Sequence, residues 1–125
     1  MIRYFLFVIS MLVSMTVNAH EWTPTYPKLE HSYVDGVMVA KMKLFNKRED
    51  VQFYELQVFD SSWNPLPFAA SERVVQVKFL ETKNIEVYIR EADKVKVTYI
   101  CTRSKLSSTD KGATLVASRI CSKVK

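Results

Sequence analysis

Hydrophobic and polar residues alternate along most of the chain after residue 36. Five segments show this period of two: residues 37–46, 51–60, 73–80, 85–90 and 94–101. In the first of them Met42 and Leu44 fall on one face of an extended chain, and Lys41 and Lys43 fall on the other. Alternation that is rich in β-branched and aromatic residues is typical of strands with one buried face. We therefore predict a strand in each segment.

Short polar segments separate these strands, and we predict solvated turns at residues 46–50, 61–65, 81–84 and 91–93. Pro65 supports the second turn, because proline fixes φ and cannot donate to a strand ladder. Short strands at this spacing, without a segment of helical period, predict an all-β fold. The expected architecture is an immunoglobulin-like antiparallel β-sandwich of about seven strands, with an extended or edge segment before Gly36.

The first 19 residues have a different character. A single positive charge at Arg3 precedes an uncharged apolar run, residues 4–17, and Ala19 ends a small-residue cleavage pattern. This arrangement predicts a secretory signal peptide over residues 1–19. The alternative is an uncleaved membrane anchor, but the 14-residue run is shorter than the roughly 20 residues of a membrane span. Residues 20–125 are then expected to form one periplasmic or secreted domain with no membrane span of its own.

Cys101 and Cys121 are the two cysteines of the chain. A three-residue hairpin loop that ends in Gly112, at the left-handed position, would place Thr109 opposite Ala113. Opposing residue numbers then sum to 222, and the two cysteine numbers have the same sum. We therefore predict a disulfide across this hairpin, which an oxidising compartment would permit. The alternative is a pair of buried free thiols.

The same register places Arg103 opposite Arg119 and puts Lys105 and Lys123 on the same face. Residues 94–125 contain eight basic residues and one acidic residue, whereas residues 20–93 contain nine basic and twelve acidic residues. A cationic end on a near-neutral body suggests an anionic partner. We expect a non-enzymatic binding or adaptor module whose partner is a protein or an anionic envelope component. The alternative is a solvated edge whose charges prevent strand pairing between molecules.

Nucleic acid is a less favoured partner. Single-stranded nucleic acids are bound by several stacking rings, and the sequence indicates only Tyr99 as an aromatic residue in the predicted basic patch. The chain has no recognisable nucleophile, phosphate-loop or zinc-protease motif. We expect no enzymatic activity and no cofactor, and the sequence leaves the oligomeric state open.

The two histidines allow one alternative to a metal-free protein. Cleavage after Ala19 would make His20 the amino terminus, where its amine and imidazole together could chelate copper. His31 would be the second ligand, and Met38 and Met42 could be soft ligands of the reduced ion. Two histidines alone are nevertheless a weak metal signal.

Three segments carry a family resemblance: MKLFNKREDVQFYELQVFD (42–60), VVQVKFLETKNIEVYIR (74–90) and KVKVTYICTRSK (94–105). Their order resembles the amino-terminal immunoglobulin-like domain of PapD-type periplasmic pilus chaperones. In that family a strand ends in an Asn-containing turn, here at residues 45–47, and a later turn has a Thr–Lys step, here Thr82–Lys83. The resemblance implies the same fold and, as an alternative function, binding of extended segments by strand addition. The chain also resembles small exported proteins of marine bacteriophages, which implies no particular function.

Overall fold

Eight strands form two antiparallel sheets in the computed structural model, which describes residues 20–105 and 118–125. The strands are β1 Glu21–Thr23, β2 Glu30–His31, β3 Val37–Phe45, β4 Phe53–Phe59, β5 Val74–Gln76, β6 Thr82–Arg90, β7 Tyr99–Lys105 and β8 Arg119–Lys123. A short 3₁₀ helix, Glu91–Asp93, follows β6. The predicted signal peptide, residues 1–19, lies outside the described residues and stays a prediction.

The connections between the strands follow the immunoglobulin pattern. In the first sheet β3 is paired with β6 on one side and with β1 and β2 on the other, and the second sheet has the order β5-β4-β7-β8. This corresponds to strands A, B and E facing strands C′, C, F and G. The predicted all-β immunoglobulin-like sandwich is therefore confirmed.

The core lies between the two sheets and contains most of the residues that the alternation assigned to it. The buried side chains include Met42 and Leu44 of β3, Tyr54 of β4 and Val87 of β6. The indole N–H of Trp22 donates a 3.0 Å hydrogen bond to the carbonyl of Ile100 in the opposite sheet. Strands β1 and β7 are thus joined through the core by a buried polar contact as well as by packing.

Two predicted strands differ from their expected extents. The segment 94–101 does not begin as a strand, because the Asp93 carbonyl accepts the backbone N–H groups of Lys96 and Val97 and so forms a turn. Val95 is consequently 90% exposed rather than buried, and β7 begins only at Tyr99. The prediction of a strand that begins at residue 94 and buries Val95 was therefore wrong.

The segment 73–80 is also shorter than predicted, since β5 covers Val74–Gln76 alone. The chain turns at residues 79–80, where Leu80 has φ 61°, and β6 then begins at Thr82. The turn predicted at residues 81–84 was therefore wrong in position. Phe79 belongs to the turn and is 42% exposed, although the alternation placed it in the core.

The last two strands have the predicted register. Cys101 lies opposite Cys121, and Arg103 lies opposite Arg119. The cysteines form a disulfide, and their Cα atoms are 4.0 Å apart, close to the spacing of about 4.5 Å in a non-hydrogen-bonded pair. The predicted disulfide is confirmed. The hairpin turn predicted at residues 109–113, with Gly112, lies outside the described residues.

Candidate functional site

The four predicted binding residues lie together on the outer side of the second sheet, away from the core. Arg103 and Lys105 project from β7, and Arg119 and Lys123 project from β8; all four are exposed. We call these four residues the basic face. Within residues 20–105 and 118–125 none of them forms an ion pair, although Glu55 on β4 is the register partner of Arg103. The face therefore keeps an excess of positive charge.

An aromatic cluster borders the basic face. The rings of Trp63 and Tyr99 are stacked almost parallel, with centroids 4.1 Å apart and planes 5° apart. Phe59 packs against Trp63 at 5.6 Å, and the guanidinium of Arg119 lies over the Phe59 ring at 5.4 Å. Lys123 is the register partner of Tyr99. The expectation that Tyr99 is the only aromatic residue near the basic residues was wrong.

Two features of the sequence could have indicated this cluster. The alternation in β4 directs Val58 into the core and so directs Phe59 outward. Trp63 lies in the turn that follows β4, next to Asn64 and Pro65. The missing information was the path of this turn, which folds back over β7 and cannot be read from periodicity.

The turn holds Trp63 in an unusual backbone conformation. The Asp60 carboxylate accepts the backbone N–H groups of Ser62 and Asn64, both at 2.9 Å, and the Asp60 carbonyl accepts the N–H of Trp63 at 3.1 Å. The hydrogen bonds from Asn64 and Ser62 lower the pKa of Asp60. Trp63 has φ 64°, a left-handed conformation that costs a non-glycine residue about 1–2 kcal/mol.

A second group of polar residues is buried near the start of β1. His20 is 2% exposed. Its Nε2 atom is hydrogen-bonded to the Thr102 hydroxyl at 2.8 Å, and its ring packs on Tyr54 with centroids 4.6 Å apart. Burial, and secondarily the positive charge of Arg48, lower the pKa of His20 to about 4. The imidazole is therefore neutral at pH 7.

Asn46 organises the loop between β3 and β4. Its amide donates to the carbonyls of Val51 and Val77 at 2.7 and 2.9 Å. Its oxygen accepts the backbone N–H of Arg48 at 2.8 Å and the hydroxyl of Tyr54 at 2.5 Å. Burial raises the pKa of Tyr54 to about 12. Asn46 thus satisfies backbone groups of three residues, two of them in its own loop and one after β5.

The segment 46–50 was predicted to be a solvated turn, but Arg48 within it is buried. It is 7% exposed, and its guanidinium forms two hydrogen bonds to the Asp50 carboxylate, at 2.9 and 2.7 Å. Burial of an arginine requires such a partner. The backbone N–H of Arg48 binds Asn46, and the Ser118 hydroxyl lies 3.5 Å from both the Arg48 guanidinium and His20 Nδ1. These residues form a polar cluster with a structural role.

The structure does not bring the two histidines together. His31 is exposed on β2 and lies opposite Met38, whereas His20 precedes Glu21, which lies opposite Phe45. Along β3, Met38 and Phe45 are about 23 Å apart at the rise per residue of an extended strand. His20 and His31 therefore cannot bind the same copper ion.

The other suggested metal ligands are also unfavourably placed. Met38 and Met42 are buried on the core face of β3, as the alternation in this strand predicts. In the described part of the chain no cluster of three or more His, Cys, Asp or Glu residues is suited to a metal ion. The same residues contain no helix of the length and apolarity that a membrane span needs.

Comparison with known proteins supports the fold. No protein-family model matches the chain, and no curated protein matches it. Among solved structures the chain is similar to a FixG-related protein from Vibrio parahaemolyticus, with 17% sequence identity and a TM-score of 0.50. The similarity covers 86% of this chain and 96% of that one. At this identity it supports a shared β-sandwich fold and gives no information on function.

Proposed function

We propose that the protein is a small exported, non-enzymatic binding or adaptor module that engages an anionic partner through the basic face. The observation that carries this proposal is the direct opposition of Arg103 and Arg119 on neighbouring strands. Like charges in such a position destabilise a strand pair. A bound anion would remove this repulsion, and its removal would make the free energy of binding more favourable.

The disulfide supports the same proposal. Cys101 and Cys121 lie two residues from the arginine pair along each strand, and the covalent link holds the two strands in register despite the repulsion. Disulfides persist in oxidising compartments, which agrees with the signal peptide predicted at residues 1–19. The partner of such a module would be an acidic protein surface or an anionic envelope component.

Salt dependence and charge reversal test the proposal. Binding to immobilised poly-L-glutamate and dextran sulfate should weaken as ionic strength rises, because salt screens exposed charges. Arg103→Glu combined with Arg119→Glu should weaken binding at least about tenfold. The control, Lys43→Glu combined with Lys78→Glu, makes the same change in net charge at exposed residues outside the basic face. Equal affinity of the two double variants would contradict the proposal.

A second candidate function is the binding of an extended peptide by strand addition. Tyr88 exchanges two backbone hydrogen bonds with Ala69, at 2.8 and 2.9 Å, on the outer edge of β6. Asn84 and Glu86 direct their backbone groups to the same side, and no such partner faces them within the described residues. A cavity of about 320 Å³ lies beside them and includes Val75 of β5 in its lining. This open edge supports the candidate.

Proline substitution tests strand addition. Asn84→Pro removes an outward N–H group that a peptide would use and leaves the N–H groups that face β3 in place. Asn84→Ala is the matched control, because it keeps the backbone donor. Binding of apolar peptides that is abolished by proline and preserved by alanine would support the candidate, and equal binding by both variants would oppose it.

A further inference from the structure

We infer that the basic face binds an acidic polysaccharide, with one sugar ring stacked on Trp63 and its anionic groups held by Arg119 and Lys123. This inference rests on the proposed function, because it names the chemical class of the anionic partner. It adds a requirement for the aromatic ring, which charge alone does not impose.

Trp63 presents a fixed, flat surface. One face of its indole is covered by Tyr99 at 4.1 Å, and the side chain remains 48% exposed. A sugar ring has a face of C–H bonds and a rim of hydroxyl groups, so it can lie on an aromatic ring while its rim stays hydrated. Because the indole is already held by Tyr99 and Phe59, little side-chain entropy is lost when a ligand stacks on it.

Two cations adjoin this surface. The Arg119 guanidinium lies over Phe59, which itself contacts Trp63, and Lys123 is opposite Tyr99. A guanidinium pairs with a carboxylate or sulfate through two parallel hydrogen bonds. A charged substituent on a sugar stacked against Trp63 would thus meet a cation at the side of the ring.

The extent of the basic face favours a polymer over a single sugar. Lys105 lies six residues beyond Tyr99 on β7, which corresponds to about 20 Å along the strand. Arg103 lies between them on the same face. This length accommodates several sugar units, each with an anionic group for one of the cations.

The number of available rings argues against nucleic acid. Strands of nucleic acid are bound by successive rings that each stack on one base. Here Tyr99 is stacked against Trp63, and Phe59 is buried, so Trp63 is the one largely exposed ring of the cluster. An acidic peptide would use the cations but has no need of a fixed flat ring.

The backbone of Trp63 gives independent support. Its φ of 64° is a conformation in which glycine is normally found. Strained positions of this kind cluster at ligand-binding sites. A tryptophan at this position exposes a large ring to solvent at a cost in backbone strain, which is expected where the ring contacts a ligand.

Intrinsic fluorescence provides the test, because the chain has two tryptophans of contrasting environment. Trp22 is buried and Trp63 is exposed, so a change in emission on ligand addition reports mainly Trp63. The probes are oligogalacturonate, its methyl-esterified neutral form and sulfated dextran oligomers. We expect at least one of the two acidic probes to bind and the neutral probe to bind at least about tenfold more weakly.

Three variants, measured by calorimetry, separate the contributions. Trp63→Gly, which suits the turn, should weaken binding of the acidic probe about tenfold. Arg119→Glu should weaken it at least as much, and Tyr33→Ser, which removes an exposed aromatic ring elsewhere, should leave it unchanged.

The outcomes distinguish this inference from the proposed function. If Arg119→Glu weakens binding and Trp63→Gly does not, the proposed function stands and the polysaccharide inference is overturned. If no acidic saccharide binds and poly-L-glutamate does, the proposed function again stands and the polysaccharide inference is overturned. Oligothymidylate is measured as a further probe, and tighter binding of it than of either acidic saccharide would assign the face to nucleic acid instead. If no anion binds, both proposals fail.

Discussion

Acidification from pH 7 to pH 4 is expected to destabilise the protein through His20. The pKa of this buried imidazole is about 4 in the folded state, against an ordinary value of 6.5. Below pH 6.5 the unfolded state takes up a proton that the folded state does not, so stability falls as pH falls. A difference of about 2.5 pH units corresponds to about 3 kcal/mol. The loss begins near pH 6.5 and is complete just below pH 4.

Urea unfolding of wild type and His20→Gln at several pH values between 4 and 7.5 measures this contribution. Glutamine can keep a hydrogen bond to Thr102 and does not titrate, and both proteins share the same carboxylates. The charged neighbours Arg48 and Asp50 are unchanged in the variant, as is the Tyr54 ring. The wild type should lose about 3 kcal/mol relative to the variant between pH 6.5 and pH 4. A constant difference across this range would refute a buried neutral His20.

Three further predictions concern stability. Cys101→Ser combined with Cys121→Ser should lower the free energy of unfolding by about 3 kcal/mol in urea titrations, because the disulfide closes a loop over a sequence separation of 20; an unchanged midpoint would contradict this. In the same assay Asn46→Ala should lower the free energy of unfolding by at least about 3 kcal/mol, because it leaves several buried groups without a hydrogen-bond partner. Tyr54→Phe removes one hydrogen bond and should lower it by about 1 kcal/mol. Trp63→Gly should change the free energy of unfolding by less than about 1 kcal/mol, because relief of backbone strain offsets the lost ring contacts.

The sequence predicted those features that depend on periodicity and register. Alternation placed Met42 and Leu44 in the core, and the sum of residue numbers paired Cys101 with Cys121. These predictions succeed because a strand has a strict period of two and an antiparallel pair has one register. The four basic residues follow from the same rule, so their common face was predictable.

The remaining features depend on specific hydrogen bonds and ring contacts, local as well as distant in sequence, that the alternation of residues does not encode. Val95 is exposed because Asp93 accepts hydrogen bonds that end the alternation early. Arg48 is buried because Asp50 pairs with it. Trp63 reaches Tyr99 through a turn whose path depends on hydrogen bonds to Asp60. The alternation of hydrophobic and polar residues carries no information on these hydrogen bonds and ring contacts, so the aromatic half of the candidate site emerged only from the structure.

The position of anion binding on the protein is the most direct test of the central claim. Two-dimensional NMR of the ¹⁵N-labelled protein, titrated with sulfated dextran oligomers at low salt, would map it residue by residue. Binding at the basic face predicts that the largest shifts occur at Arg103, Arg119 and Lys123 and at the indole N–H of Trp63. Shifts confined to the open edge of β6, or spread evenly over all exposed lysines, would contradict it.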